Sequence, residues 1–127
     1  MFLLNNLLWL WLQRHVRRTR PTHEDDRRVL HAVVLGPLEL VHIRYKQECV
    51  LGNHYHPYTE RWTLVTGKAV ATVMRQKAPT IRQTVTMCAG SKLTIGINEP
   101  HAITASEGAI LLIVKPAAYV AKSFTLV

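Results

Sequence analysis

The chain has 127 residues, 48% of them hydrophobic and 19% charged. That balance excludes a disordered polymer and suits one domain with enough chain to bury a core. Its net charge of +8 would suit an anionic partner, but no nucleic-acid motif and no aromatic–basic interleaving accompany it, so nucleic acid is not expected as a partner.

The first 21 residues, MFLLNNLLWLWLQRHVRRTRP, differ from all that follows and are read as an extension. Its apolar run, Phe2 to Leu12, is broken by Asn5 and Asn6 and falls short of the about 20 residues a bilayer span needs. The arginines follow the run rather than precede it, and no small-residue cleavage site is present, which argues against a secretory leader. Leu3, Leu4, Leu7, Leu8 and Trp11 fall at helical spacing, so the segment is helical or a poorly ordered extension. With Trp9, Trp11 and four nearby arginines, residues 1–20 could lie on a membrane surface. Packing on a partner subunit, or disorder, ranks ahead of that. Pro21 marks the boundary to a domain of residues 22–127.

Beyond Pro21 the pattern becomes extended. Strands are expected over 28–35, 38–46, 61–67, 68–76, 80–88, 101–105 and 109–117, all rich in β-branched residues. Val70, Thr72 and Met74 alternate with Ala69, Ala71 and Val73, as on two faces of one strand. Gly36-Pro37, Ala78-Pro79 and Glu107-Gly108 read as turns. Many short strands with little helix between them specify an all-β antiparallel sandwich or barrel. Cys49 and Cys88 have neither CxxC nor zinc-ribbon spacing. They read as buried free thiols of a reducing, cytoplasmic compartment, with a disulfide left open.

The stretch LGNHYHPYTERWTLVTG, residues 51–67, carries the chemistry. On a strand His54 and His56 share a face. Glu60 follows a bend at Pro57 and can return to the same point. Two imidazoles and a carboxylate suit zinc, iron, manganese, nickel or copper. His101 is the best fourth ligand. His15 and His23 lie near the extension, and His31 and His42 sit alone in strands, where a core or surface imidazole is the ordinary role. Alternation turns Tyr55 away from the histidines and leaves Tyr58 in the bend near the mouth. Trp62 is read as core or rim, Arg44 and Arg61 as a solvated strand face, and Met74, Met87 and Cys88 as core filling.

These residues resemble the two motifs of the cupin family. His54, His56, Glu60 and Gly67 match the first motif from its first histidine onward, and Gly90 and His101 match two positions of the second. The departures fall in loops: Glu48 stands where the first motif usually opens with glycine, Gly96 replaces a proline, Asn98 a glycine and Ala105 an asparagine. The resemblance implies a cupin-type antiparallel β-barrel (a double-stranded β-helix, or jelly roll), often a homodimer, holding one divalent transition metal or a small-molecule ligand inside. GNHYH is also similar to cupins of bacterial sugar-nucleotide and surface-polysaccharide pathways, in which an arginine stands at the position of Leu51. Two functions follow as expectations. One is a metal-dependent enzyme, either a sugar or sugar-nucleotide isomerase or epimerase, or an oxygenase. The other is a non-catalytic metal- or ligand-binding module docked through its amino-terminal segment. Proton transfer needs a base that is not itself a ligand, and Glu48 is the least unsuitable.

Overall fold

The computed structural model of the protein describes residues 2–117 and 122–123. Among the described residues one helix, α1 (Phe2–Arg18), precedes eleven strands: β1 (His23–Glu24), β2 (Arg28–Leu35), β3 (Leu38–Tyr45), β4 (Cys49–Tyr55), β5 (Glu60–Thr66), β6 (Lys68–Met74), β7 (Arg82–Cys88), β8 (Lys92–Ile95), β9 (His101–Ala105), β10 (Ile110–Pro116) and β11 (Lys122–Ser123). They form two antiparallel sheets, ordered β1-β2-β3-β10-β5-β8 and β11-β4-β9-β6-β7. The chain crosses repeatedly between the sheets, as in a jelly roll. Strand β4, with its Gly, Asn and His content, and the four-residue edge strand β8 are absent from the sequence list above, as are the two-residue β1 and β11.

Alternation places the core between the sheets. Val41, Ile43 and Tyr45 of β3, Trp62 and Leu64 of β5, Ala69, Ala71 and Val73 of β6, and Leu111 and Ile113 of β10 pack together there. Val70 faces outward and is exposed, as its alternation with Ala69 and Ala71 requires. Met87 is buried, so its neighbour Cys88 points out and is exposed; Cys49 is half-buried, and both thiols are free. The expectation of two buried thiols therefore fails at Cys88, on simple strand parity. Gly67 makes the β5–β6 turn at φ +87°, where an added Cβ would lie 2.7 Å from the Ala109 Cβ. The backbone there passes too close to the β10 approach for any side chain.

The amino-terminal segment is an ordered helix lying on its own barrel. On the outer face of β2 and β3, His31 and His42 are each 4% exposed and form a directly opposed pair. The Trp9 ring stacks on His42 at 5.9 Å, Leu12 is fully buried, and the His31 Nε2 lies 3.5 Å from the Thr19 carbonyl oxygen. The two isolated strand histidines are thus the floor on which α1 rests.

Burial, then the neighbouring His31, pushes the His42 pKa down to about 4 from its ordinary 6.5. The unfolded chain therefore binds more protons than the folded one between those values. This contribution to stability is full above about 6.5 and is lost as pH falls towards 4. His42→Phe keeps the ring stack and removes the titration. The melting temperature of the wild type should fall more steeply between pH 7 and 4.5 than that of the variant, followed by circular dichroism. Parallel pH profiles would show that the ring under α1 is not the responsible group.

Candidate metal centre

A one-residue irregularity positions the first histidine. Cys49 and Leu51 face the core, so strict alternation would send residue 53 inward and His54 outward. Instead the β4–β9 register slips between Gly52 and His54. Asn53 is the extra residue, in the left-handed conformation at φ 53°, and His54 comes to pair with His101. Gly52 is needed beside it: an added Cβ would lie 3.0 Å from the His101 carbonyl oxygen and 3.1 Å from the Ala102 Cα. Such a bulge re-aims the side chains that follow.

The result is a cluster of three imidazoles. His54, His56 and His101 can each offer one ligand nitrogen, and these nitrogens lie within 4.8 Å of one another. His56 and His101 are fully buried. The His56 Nδ1–H donates to the Tyr58 carbonyl and the His101 Nδ1–H to the Glu99 carbonyl, both at 2.8 Å. A carbonyl only accepts, so both rings carry the proton on Nδ1 and turn the Nε2 lone pair inward. Among the described residues neither buried Nε2 has a hydrogen-bond partner, although that of His56 stands 3.3 Å from the Glu60 Oε1. Metal-binding histidines commonly donate their other ring N–H to a carbonyl in this way, which fixes the tautomer and aims the ligand nitrogen.

Glu60 sits at the edge of the cluster. Its Oε1 is 3.3 Å from the His56 Nε2 and accepts a 2.9 Å hydrogen bond from the Trp62 Nε1–H. Burial raises its pKa; a proton held between it and His56, together with the Trp62 N–H, brings it below the ordinary carboxylate value. Two acceptors facing each other at this distance repel unless a proton or a metal cation lies between them. Burial, partly offset by the Glu99 carbonyl, lowers the His101 pKa to about 4. Burial also lowers that of His54, against the pull of Glu60. Neutral His54 and His101 and an ionised carboxylate are the forms a divalent cation binds.

The surrounding residues divide clearly. Tyr58 is buried and stacks face to face on His56, with ring centroids 4.1 Å apart. Trp62 is buried too, edge-on to His101. Arg44 and Arg61 are exposed, and Leu51 is a core residue that brings no charge to the site. Glu48 is exposed just before β4, five residues short of the bulge, and is no part of the cluster. Sequence reasoning missed Glu99. Its carboxylate accepts from the Gly96 and Gln76 amides and the Arg75 guanidinium at 2.7–3.1 Å. Its own carbonyl then orients His101. Gly96, three residues before it, makes room for the carboxylate: an added Cβ would stand 2.8 Å from the Glu99 Oε1.

Neither a family model nor a curated protein sequence matches this chain. Solved structures do match its fold. A variant of oxalate decarboxylase from Bacillus subtilis aligns with a TM-score of 0.68 and 22% identity, over 79% of this chain and 28% of that one. Oxalate decarboxylase from Lactobacillus farciminis, in its formate complex, aligns at 0.66 and 18%, over 74% and 29%. CapF with the inhibitor 3-isopropenyl-tropolone aligns at 0.69 and 16%, over 82% and 34%. Mn(II) centres are described for the Bacillus subtilis enzyme. The chain spans only about a third of these neighbours' lengths. The likeness at these identities is one of fold, and the fold is that of the cupins, as the motifs implied.

The tautomers can be checked without any metal. In ¹⁵N-histidine-labelled, metal-free protein, NMR should show His101 as the Nδ1–H tautomer and the His56 Nδ1 as protonated. Nε2–H forms at neutral pH would mean that the inward nitrogens are donors and unfit to be ligands.

Proposed function

We propose that the protein is a small metal-dependent cupin acting on a small molecule, with His54, His56, His101 and Glu60 holding one divalent transition metal. The observation that carries this reading is the pair of buried, unpartnered Nε2 atoms of His56 and His101, converging with His54 within 4.8 Å. Leaving such lone pairs unmade in a dry interior costs about 1–3 kcal/mol each, a cost that a bound cation removes. When bound, the ion would supply Lewis acidity or redox capacity towards a small-molecule ligand.

The chain's own residues do the rest. The Tyr58 and Glu99 carbonyls lock two imidazole rings, and Trp62 fixes the carboxylate. Tyr58 and Trp62 exclude water from the buried side of the cluster. The other carboxylates are poorly placed as bases: Glu48 is exposed, Glu99 is committed to its loop, and Glu39 is paired with Lys115 at 2.9 Å. That scarcity supports Lewis-acid or redox chemistry, of the oxygenase kind, over a sugar or sugar-nucleotide isomerase or epimerase. The same scarcity supports the second reading, a metal-binding module without turnover.

Elemental analysis of the purified protein beside His56→Ala tests the proposal. The wild type should carry about one equivalent of a transition metal, and the variant little or none while keeping its circular dichroism spectrum. An absence of metal from both after reconstitution would overturn it. With the metal in place, turnover of oxidisable and carbonyl-bearing small molecules separates enzyme from module.

A further inference from the structure

Helix α1 has two apolar faces, and the barrel covers one of them. Leu12 and Trp9 face β2 and β3, as described above. On the opposite side Leu7, Leu10 and Trp11 are 59%, 60% and 43% exposed. With about 100° of rotation per residue, these three share a side with Arg14 and Arg18, and Arg17 borders it. Leu10, Trp11, Arg14, Arg17 and Arg18 line one open groove of about 560 Å³. Folding gives no reason to hold three large apolar side chains together in water.

The charge beside them has one sign. Arg14, Arg17, Arg18 and Arg20 all precede the first acidic residue, Glu24. Among the described residues, no carboxylate pairs with any of the four. The helix dipole favours a basic residue or two in the last turn, but it does not explain Arg14 or the apolar residues next to it. A second copy of the chain docking two-fold on this face would set like arginines against each other. A purely polar polyanion would satisfy the arginines and leave Leu7 and Leu10 in water.

We infer that the solvent face of α1 docks the protein on an anionic lipid bilayer, with Leu7, Leu10 and Trp11 at the acyl boundary and Arg14, Arg17 and Arg18 on lipid phosphates. The 17-residue helix would lie in the interface plane, about 25 Å long. No described helix is long and apolar enough to cross a membrane, so the contact is peripheral. Tryptophan and arginine are the side chains suited to the headgroup level.

The test is co-sedimentation of the full chain with phosphatidylcholine vesicles, with and without phosphatidylserine. The wild type should bind the anionic vesicles, with a blue shift in tryptophan emission, and release as salt rises. Arg14→Ser/Arg17→Ser/Arg18→Ser should weaken partitioning about a hundredfold. Leu7→Ser/Leu10→Ser/Trp11→Ser should abolish the blue shift. All six positions are exposed or project from the exposed side, so both variants should keep the wild-type melting temperature. Failure of the wild type to bind, or equal binding by either variant, overturns the inference. A wild-type oligomer that the leucine and tryptophan substitutions dissociate would also overturn it, making the face an interface between copies.

Discussion

The register of β4 against β9 is the constraint on which the site depends. A β-strand has a side-chain period of two, so a single inserted residue exchanges its faces. Leu51 belongs to the core, and His54, three residues on, also faces inward because Asn53 is spent on the bulge. Without that residue the strand could hold a continuous apolar core or present its histidines inward, but not both. The bulge divides β4 into a packing half and a chemical half. His54 then sits across from His101, and His56 follows just past the end of the strand.

Once the imidazoles face inward, electrostatics limits what can share their space. Burial disfavours the charged forms of His54 and His101, while Glu60 stays ionised at the edge of the same cluster. Buried charge is tolerated only where it is paired. Trp62 supplies one hydrogen bond to Glu60, the His56 Nε2 stands 3.3 Å from the same oxygen with room for a shared cation or proton, and the His101 Nε2 offers only a lone pair. The cluster is an acceptor-rich cage assembled by carbonyls behind it. This is why the backbone oxygens of Tyr58 and Glu99 matter as much as the ligands: they determine which nitrogen faces the centre.

Much of this was legible in the sequence, and what was not has physical reasons. The strongly β-branched strands were readable because alternation and propensity agree there. Strand β4 was obscured by glycine, asparagine and histidine, residues whose presence serves the bulge and the site instead of the pleat. His54, His56 and Glu60 could be named from their spacing and His101 from its place at the start of a strand and the motif resemblance, and the structure brings the three histidines together with Glu60 beside His56. The role of Glu99 was not readable, since it depends on Arg75 and Gln76 arriving from a distant turn. The outward turn of Cys88 was readable from its parity with Met87. The docking of α1 on His31 and His42 was not, because two lone strand histidines look the same whether water or a helix covers them.

The loop before His101 shows how departures from a motif can preserve its purpose. The cupin pattern has a proline where this chain has Gly96, and a glycine where it has Asn98. A proline has no N–H, and here the Gly96 amide donates to Glu99 at 2.7 Å. Asn98 adopts the left-handed conformation at φ 56°, which asparagine tolerates better than most residues, and its amide donates to the His56 carbonyl at 2.8 Å. A proline-stiffened turn would limit the loop through its own dihedral angles. This chain limits it through a buried carboxylate with three donors, one of them the Arg75 guanidinium, whose second bond goes to the Thr94 carbonyl. The departures act together: glycine at 96 makes room for Glu99 and donates to it, and Asn98 ties the loop to the strand end that carries His56. Both sides of the cluster are thereby fixed by one loop.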